Sequence, residues 1–519
     1  MKVEIKSKYL VFPANGQALS KKLCLRAGED CVYALNIRLD NINPDFQAYV
    51  DVSRFLGMEL ELSVEPEMEI RFRQSECMDI PDVYQEALRP QVHFSPKNGW
   101  NNDPNGLVYL NGEYHMFFQY NPCGAYWENM HWGHAVSRDL IHWEERDIAL
   151  YPDDLGAMFS GSAIVDEQNL LGLQSGDVPT VVLYYTAASD ASCQCMAYST
   201  DGLKTIQKYD GNPVIPHIIG GNRDPKVIYC DELSCYIMAL YMDKDVYALF
   251  TSDNLVHWTM LQQISLPGDN ECPDIFPLTD ETGRRKWILI GAHDKYYVGE
   301  FADGKFVPDQ PLQTLHYGNA GYAAQTFTHL PDGRIVRIAW LRWGDIQNAR
   351  FTQQMSIPTV LSLQHKNGVT CLCAQPVAEL ERLYAGEQVI SAMNLEAGGE
   401  RVFALPDQPL QIELELDYQL DQVLQLNCFG RKIVCNMKEN TLHANGAEGP
   451  LSREKDRLKL NLIVDRCSYE FFLDDGSIVY FNSGKNAIQD RNLPVLTLES
   501  NVDCRIDTLK IHSLASIWQ

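Results

Sequence analysis

A phrase recurs three times in the middle of the chain, and it restricts the fold more than any other feature of the sequence. Residues 134–143 read His-Ala-Val-Ser-Arg-Asp-Leu-Ile-His-Trp, residues 196–203 read Met-Ala-Tyr-Ser-Thr-Asp-Gly-Leu, and residues 248–258 read Ala-Leu-Phe-Thr-Ser-Asp-Asn-Leu-Val-His-Trp. Each copy is typical of a strand followed by a turn built on Asp, Asn or Gly. The copies lie roughly 50 to 60 residues apart, which fits one four-stranded propeller blade per copy.

The remainder of the chain also favours β structure. Short apolar runs bounded by Gly, Asn, Asp and Pro recur, and long stretches of helical periodicity are nearly absent. We predict an all-β protein with a small N-terminal β module over residues 1–88, a five-bladed β-propeller over residues 89–365 and a C-terminal β-sandwich over residues 375–519. An array of hairpins in a sandwich is the alternative explanation of the repeat.

Alternating apolar and polar positions support the two flanking parts. In the N-terminal module they occur at residues 31–39 and 58–64, and in the sandwich at residues 410–416, 458–464 and 469–473. This alternation is typical of strands with one buried and one solvated face.

The charge of the chain excludes two classes of partner. The chain has 69 acidic and 43 basic residues and a formal net charge of -26, which repels phosphate backbones and anionic lipid surfaces. We therefore expect no nucleic acid and no membrane as a partner, and a neutral small molecule as the ligand.

The first residues show no apolar run of the kind found in a signal peptide, so we expect a cytoplasmic location. The 15 cysteines lack paired C-x-x-C spacing, and we predict reduced thiols.

Asp103 is the first of three acidic residues in unusual settings. It lies in the run Trp-Asn-Asn-Asp-Pro-Asn-Gly at residues 100–106. Pro104 fixes the backbone after it and Asn-Gly favours a tight turn, so we expect a carboxylate held at the end of a strand. A held carboxylate suits nucleophilic attack on an anomeric carbon. A turn without a catalytic role is the alternative.

Asp224 and Glu271 are the other two. Arg223 precedes Asp224 and should keep it ionised, which suits binding of hydroxyls or a developing cation; a structural ion pair is the alternative. Glu271 lies among further acids at residues 269–274, which should raise its proton affinity if they converge, as a general acid requires; a solvated turn is the alternative. On different propeller blades, the three carboxylates can meet at one axial end.

Aromatic and amide residues lie near the first carboxylate in sequence, at Gln119, Trp127, residues 132–134 and residues 159–162. Sugars are bound by aromatic faces together with hydroxyl and amide groups. Tryptophans that only pack blades are the alternative.

These motifs resemble, in the same order, those of the invertases, inulinases and levanases of glycoside hydrolase family 32. The family's W-M-N-D-P-N-G, R-D-P and E-C-P motifs are similar to residues 100–106, 223–225 and 271–273, and the resemblance covers about residues 91–519. It implies that Asp103 is the nucleophile, Asp224 the transition-state stabiliser and Glu271 the acid/base. The substrate-binding residues that it implies are Asn102, Gln119, Trp127, Phe159, Ser160, Arg223 and Trp340.

The resemblance implies a five-bladed β-propeller catalytic domain followed by a β-sandwich, with no metal and no cofactor. It further implies an exo-acting, retaining hydrolase that releases fructose from sucrose or fructo-oligosaccharides through a covalent fructosyl-enzyme. Three alternatives stay open: a fructosyltransferase that uses the same residues, a hydrolase of arabinose- or xylose-containing glycans, and a non-catalytic fructan-binding propeller. The sequence does not distinguish sucrose, inulin-type, levan-type or difructose anhydride substrates.

Two features depart from the family pattern. Asn101 stands where the family usually has Met, beneath the nucleophile. The first 88 or so residues lie outside the usual two-domain plan. For this module a lid over the cleft, a subunit contact in a homo-oligomer and structural support all stay open.

Overall fold

The structure is a computed structural model that describes residues 1–344, 350–444, 446–452, 457–483 and 494–518. In this part of the chain the strands form nine sheets, accompanied by three short 3-10 helices at Ser53–Phe55, Ala378–Leu383 and Asp474–Gly476. Within the same ranges, no helix has the length and apolar character needed to cross a bilayer. The all-β prediction is confirmed.

The N-terminal module contains two sheets, with strand orders β1-β6-β3-β4 and β5-β2-β7, that share one apolar cluster. The alternation seen in the sequence places Leu60, Leu62 and Val64 of β6 in this cluster. The strands are β1 (Lys2–Glu4), β2 (Tyr9–Ala14), β3 (Lys21–Ala27), β4 (Asp30–Ile37), β5 (Phe46–Asp51), β6 (Glu59–Glu65) and β7 (Arg73–Ser75).

A disulfide joins Cys24 on β3 to Cys31 on β4. The prediction of reduced thiols is wrong for this pair, because the hairpin register, with its irregularity between Leu25 and Arg26, brings the two Cα atoms to 6.4 Å. The other 13 cysteines, all within the described ranges, form no disulfide.

Five sheets follow between Gly99 and Pro376, and within most of them neighbouring strands pair antiparallel in the order of the sequence. The first sheet contains β8 (Gly99–Leu110), β9 (Glu113–Asn121), β10 (His131–Ser137) and β11 (Trp143–Glu145), and the second contains β12 (Ala157–Asp166), β13 (Thr180–Ala188), β14 (Cys193–Ser199) and β15 (Gln207–Lys208). The third contains β16 (Arg223–Cys230), β17 (Cys235–Asp243), β18 (Val246–Ser252) and β19 (Thr259–Ser265).

The fourth sheet contains β20 (Asp274–Thr279), β21 (Arg285–Ile290), β22 (Lys295–Ala302), β23 (Lys305–Pro308) and β24 (Gln313–Thr314). The fifth contains β25 (Gly321–Thr326), β26 (Ile335–Leu341), β28 (Gln354–Met355), β29 (Thr359–Lys366) and β30 (Val369–Pro376), while β27 (Phe351–Thr352) joins the first sheet by pairing parallel to β8. The fifth sheet therefore extends beyond residue 365, where we expected the propeller to end.

The repeated phrase marks the same feature in three sheets, namely the third strand and the turn into the fourth. In each turn a side-chain oxygen accepts hydrogen bonds from backbone N–H groups, at Asp139, Asp201 and Asn254. Each turn also contains a leucine with a left-handed φ of 64° to 67°, at Leu140, Leu203 and Leu255. The repeat thus encodes a turn conformation that recurs from sheet to sheet.

The first strands of the five sheets contact one another in sequence. Between β8 and β12, the backbone N–H of Gly161 donates to Oδ1 of Asn105 at 3.3 Å. Between β12 and β16, the hydroxyl of Ser162 donates to the carbonyl oxygen of Pro225 at 2.8 Å.

The remaining contacts return to the first sheet. Lys226 on β16 forms a buried ion pair with Asp274 on β20 at 3.2 Å, and Asp274 accepts the backbone N–H of Thr326 on β25 at 2.6 Å. Just after β25, the backbone N–H of Thr328 donates to the carbonyl oxygen of Leu107 on β8 at 3.0 Å. The order of contacts is therefore cyclic.

The C-terminal part contains two six-stranded sheets that share one apolar cluster, with strand orders β31-β42-β33-β38-β39-β40 and β32-β41-β34-β35-β36-β37. The predicted strands at residues 410–416, 458–464 and 469–473 correspond to β33, β38 and β39. The strands are β31 (Tyr384–Leu395), β32 (Glu400–Ala404), β33 (Leu410–Asp417), β34 (Val423–Cys428), β35 (Arg431–Asn436), β36 (Thr441–Ala444), β37 (Ala447–Pro450), β38 (Arg457–Val464), β39 (Ser468–Leu473), β40 (Ile478–Ser483), β41 (Val495–Ser500) and β42 (Cys504–Leu514).

A buried charged cluster connects this part to the segment before β8. His93 contacts Asp465 through Nδ1 at 2.8 Å and Glu470 through Nε2 at 2.9 Å, and all three side chains are fully buried. Burial alone would lower the pKa of His93, but the two carboxylates raise it to about 9. The imidazole is therefore a buried cation at neutral pH.

Candidate active site

Asp103 lies at an irregularity inside β8. The register of β8 against β9 shifts between Asn101 and Pro104, so Asn102 and Asp103 lie opposite the single residue Gln119 of β9, which makes a bulge of one extra residue. A bulge turns side chains away from the regular alternation and tolerates proline. The prediction that Asp103 lies at the end of a strand is therefore wrong. Asp103 lies inside β8, and a bulge in this strand holds its carboxylate where we expected a turn after the strand to do so.

Both carboxylate oxygens of Asp103 accept hydrogen bonds. The hydroxyl of Ser160 donates to Oδ2 at 2.5 Å, and Nδ2 of Asn102 donates to Oδ1 at 3.2 Å. The indole N–H of Trp100 in turn donates to Oδ1 of Asn102 at 2.9 Å, which orients the amide. Burial raises the pKa of Asp103, these hydrogen bonds oppose the rise, and the charge of Glu271 adds to it.

Asp224 occupies a second irregularity, in β16, where the register shifts between Arg223 and Lys226. Its φ is 66°, and its backbone N–H donates to Oγ1 of Thr186 at 2.9 Å. Left-handed backbone of this kind is costly outside glycine and is concentrated at functional sites. Burial raises the pKa of Asp224 to about 7, and the charges of Asp103 and Glu271 add to the rise while Arg223 opposes it.

Glu271 lies just before β20 and also has a left-handed φ, of 57°. Its carboxylate accepts hydrogen bonds from the guanidinium of Arg223 and from the hydroxyl of Tyr322. The hydroxyl of Tyr247 donates to its backbone carbonyl at 3.1 Å. Burial alone would raise the pKa of Glu271, but the hydrogen bonds from Tyr322 and Arg223 lower it.

The thiol of Cys272 lies between the two aspartates. Its Sγ is 3.5 Å from Oδ2 of Asp103 and 3.4 Å from Oδ2 of Asp224, and its backbone N–H donates to Asp224 at 3.0 Å. Burial and the neighbouring carboxylates raise the pKa of Cys272 well above its ordinary value, so it stays protonated and donates hydrogen bonds. The three predicted carboxylates therefore come together around this residue.

The protonation states differ from those expected from sequence. We expected Arg223 to keep Asp224 ionised, but its Nε is 3.7 Å from Oδ2 of Asp224 while its other end pairs with Glu271. Burial therefore dominates at Asp224. For Glu271 we expected neighbouring acids to raise the pKa, whereas two hydrogen-bond donors that the sequence pattern did not reveal lower it.

Comparison of the sequence with models of known protein families identifies the family to which the chain belongs. The family model described as "Glycosyl hydrolases family 32 N-terminal domain" matches residues 93–376, a span that includes all three carboxylates and more than half of the chain. The chain belongs to glycoside hydrolase family 32. It is a glycoside hydrolase.

Relatives of this family 32 chain include a levanase, an invertase and an exo-inulinase. Over 488 residues the chain is 32% identical to the levanase of Bacillus subtilis (strain 168), a match that covers 84% of this chain and 72% of the levanase. Over 290 residues it is 42% identical to the invertase of Schizosaccharomyces pombe, covering 50% of each protein. The crystal structure of exo-inulinase from Aspergillus awamori matches with a TM-score of 0.74 and 27% identity, over 84% of this chain and 100% of the inulinase. These likenesses support the predicted architecture of a β-propeller with a β-sandwich.

Aromatic residues expected in a family 32 pocket lie on two sides of the carboxylates. The ring of Trp340 is 6.0 Å from that of Trp100 and 6.1 Å from that of Tyr322, which donates to Glu271. On the other side, the ring of Trp127 is 6.1 Å from that of Phe159. Trp127 is 54% exposed, so its indole is free to contact a ligand.

Gln119 is the remaining residue of the predicted family 32 pocket. It lies on β9 between the partners of Asn101 and Pro104, and so opposite the bulge that contains Asp103. Its side chain is buried, and its Nε2 has no hydrogen-bond partner among the described residues. A buried amide without a partner is suited to donate to a sugar hydroxyl.

Sequence reasoning missed several residues of this family 32 site. Tyr322 and Thr186 contact catalytic candidates directly, and Gln353 accepts the indole N–H of Trp340 at 3.1 Å. No charged motif marks Tyr322 in the sequence. The signal that could have pointed to it is its position at the start of β25, because the first strands of the first three sheets carry predicted site residues.

In the described ranges, no three His, Cys, Asp or Glu side chains are grouped so that they could hold a metal ion.

Proposed function

We propose that the chain is a retaining, exo-acting β-D-fructofuranosidase that releases fructose from sucrose or fructo-oligosaccharides. The observation that carries this proposal is the grouping of Asp103, Asp224 and Glu271 around Cys272 in a member of family 32. The levanase, the invertase and the exo-inulinase among its relatives support fructosides as the substrate class.

In the first step, a carboxylate oxygen of Asp103 attacks C2 of the terminal fructosyl unit. The bond between C2 and the leaving oxygen breaks, and Glu271 delivers a proton to that oxygen. The hydrogen bonds from Ser160 and Asn102 hold the attacking group in one orientation, which reduces the entropy lost on reaching the transition state.

The first step leaves the fructosyl unit esterified to Asp103. In the second step, Glu271 removes a proton from a water molecule that attacks C2, the ester bond between C2 and the oxygen of Asp103 breaks, and fructose is released with its original anomeric configuration. Such a double displacement requires the two carboxyl groups to lie about 5 to 5.5 Å apart. The raised pKa of Asp103 marks a carboxylate that is poorly solvated and therefore a reactive nucleophile.

Asp224 would hold the sugar hydroxyls and stabilise the developing positive charge at C2. Its burial, at 6% side-chain exposure, strengthens each of these interactions because water screens them little. Arg223 would assist from the side of Glu271, where its guanidinium already pairs with the acid/base.

We also infer that the five sheets between Gly99 and Pro376 are the blades of one propeller. The cyclic contacts of β8, β12, β16, β20 and β25 support this inference, because they close from the fifth sheet back to the first. In such a ring the first strands line the axis, and site residues on them converge at one end.

A time course with the purified enzyme tests the function. Sucrose, inulobiose, levanbiose, inulin and levan are each incubated with it, and the products are resolved. Fructose as the first and dominant product supports the proposal. Longer oligosaccharides at high sucrose would favour a fructosyltransferase, and binding without any product would favour a non-catalytic propeller. Addition of methanol distinguishes retention from inversion, because a retaining enzyme forms the β-methyl fructoside.

A further inference from the structure

We propose that the N-terminal module positions Trp127 at the rim of the site, and that Arg38 is the positioning residue. The tryptophan loop, residues 122–130, connects β9 to β10 and carries this indole. The expected effect on KM rests on the proposed fructosidase function, whereas the expected effect on hydrogen exchange of the loop does not.

The two ends of the tryptophan loop are fixed to the module. Near its start, the side chain of Cys123 is fully buried in the apolar cluster of the module. Near its end, Asn129 exchanges two hydrogen bonds with the backbone of Asn36, each of 2.7 Å. Just beyond it, the hydroxyl of Tyr33 lies 2.8 Å from Nε2 of His131. Residues of β4 therefore contact the loop and the strand that follows it.

The module also holds both neighbours of the tryptophan. The guanidinium carbon of Arg38 lies 3.7 Å from the ring centroid of Tyr126, and the same guanidinium donates to the carbonyl oxygen of Gly16 at 2.6 Å. On the other side, the hydroxyl of Ser20 donates to the carboxylate of Glu128 at 3.2 Å. Arg38 thus connects the loop to two segments of the module at once.

This arrangement presents the indole of Trp127 toward the site. Its flanking residues contact the module, while 54% of Trp127 itself is exposed. Its ring meets that of Phe159 edge-on at 6.1 Å, and the next residue, Ser160, donates to the carboxylate of Asp103. Of the three roles left open by the sequence, namely a lid, a subunit contact and structural support, these contacts favour structural support, and the part supported is the tryptophan loop.

Positioning of this kind affects binding more than chemistry. A ring that is held in place before the sugar arrives loses little conformational freedom on binding, so less of the binding free energy is lost to ordering the side chain. The ring of Trp127 contacts that of Phe159, whereas Asp103 is held by Ser160 and Asn102. We therefore expect release of the loop to raise KM while kcat changes little.

The test compares Arg38→Ala with Arg71→Ala, which removes an exposed arginine of the same module that pairs with Glu69. We expect Arg38→Ala to raise KM for sucrose or inulobiose about three- to tenfold, with kcat within about twofold of wild type. Arg38→Lys should restore part of the loss, because lysine keeps a cation over the ring of Tyr126. Hydrogen exchange of residues 122–130 should accelerate in Arg38→Ala and stay at the wild-type rate in Arg71→Ala.

Equal KM and equal exchange in the two alanine variants would overturn the proposal. If Arg38→Ala does not fold, as thermal melting would reveal, Tyr126→Leu replaces it, because that variant removes the ring under Arg38, keeps an apolar side chain against the cluster of the module and leaves the sequence of the module unchanged. Should the wild-type protein release no fructose from any fructoside, the proposed function is wrong, while the exchange comparison still decides whether the module positions the loop.

Discussion

Tyr322 donates a hydrogen bond from its hydroxyl to the carboxylate of Glu271, 51 residues away in the chain. This bond, together with the ion pair to Arg223, lowers the pKa of Glu271 although burial alone would raise it. A general acid must be protonated to act, so donors that stabilise its ionised form limit activity at high pH.

Tyr322→Phe should therefore move the alkaline limb of the kcat/KM profile to higher pH. The variant removes a hydrogen bond that stabilises the glutamate carboxylate, so the pKa of Glu271 rises and the protonated form persists further. The measurement is kcat/KM on sucrose across the pH range. Tyr229→Phe, which removes a hydroxyl five residues beyond Asp224 on β16, is the matched control and should keep the wild-type limb. A limb that stays in place or moves to lower pH would contradict the role of Tyr322.

Glu271→Gln should discriminate between leaving groups. Sucrose and fructo-oligosaccharides need a proton on the departing oxygen, so their turnover should fall about 10²- to 10⁴-fold. Aryl fructosides that carry a stable leaving group should lose far less in the first step. Steady-state rates on both substrate types provide the comparison, and equal losses would argue against Glu271 as the proton donor.

Asp103→Asn should abolish turnover without harming the fold. The amide cannot form the fructosyl ester, and loss of a nucleophile typically lowers kcat by about 10⁴-fold or more. Because burial raises the pKa of Asp103, the charged form is already disfavoured there, and a neutral amide should leave the melting temperature unchanged or higher. Retention of wild-type rates would eliminate Asp103 as the nucleophile.

The sequence predicted the three carboxylates because each lies in a short, unusual motif. It did not predict what holds them. The bulges at Asn102 and Asp224 depend on how each first strand pairs with its neighbour, and the partner strands are set by the register of the whole sheet. For the same reason the sequence does not predict the directions in which the pKa values of Asp224 and Glu271 shift, since burial and the orientation of Arg223 are properties of the assembled cluster.

The strand pattern was more predictable than the contacts between parts. Alternation located β6, β33, β38 and β39, because one face of each strand is buried. The Cys24–Cys31 disulfide depends on the exact register of the β3–β4 hairpin, which alternation does not specify, and the contact of Arg38 with Tyr126 joins segments that are far apart in the sequence. The cytoplasmic location stays a prediction; disulfides are more frequent in oxidising compartments, and fractionation of cells that produce the protein would decide it.

Asn101→Met should stabilise the protein. Asn101 is fully buried on β8, and neither its Oδ1 nor its Nδ2 has a hydrogen-bond partner in the described ranges. An unpaired buried amide costs about 1 to 3 kcal/mol, and methionine adapts to irregular gaps. We expect the free energy of unfolding to rise by about 1 kcal/mol, measured by denaturant titration. A decrease would mean that the amide has a partner, such as a buried water, that methionine cannot replace.

His93→Gln should change how stability depends on pH. The folded pKa of His93, about 9, lies above its ordinary value of 6.5. Between these two values the folded protein keeps a proton that the unfolded chain releases, so the stabilisation is complete below pH 6.5 and is lost as the pH rises through 9. The difference corresponds to about 3 kcal/mol.

Wild-type unfolding free energy should therefore decline between pH 6.5 and 9, and the His93→Gln variant should lack this decline. The variant should also be less stable at pH 6.5, because it leaves Asp465 and Glu470 buried without their cation. His257→Gln, which alters an exposed histidine, serves as the control for the loss of an imidazole. Identical slopes in all three proteins would show that His93 is not a buried cation in the folded state, and that the backbone N–H groups of Gln91 and Val92 hold Asp465 without help from a charged imidazole.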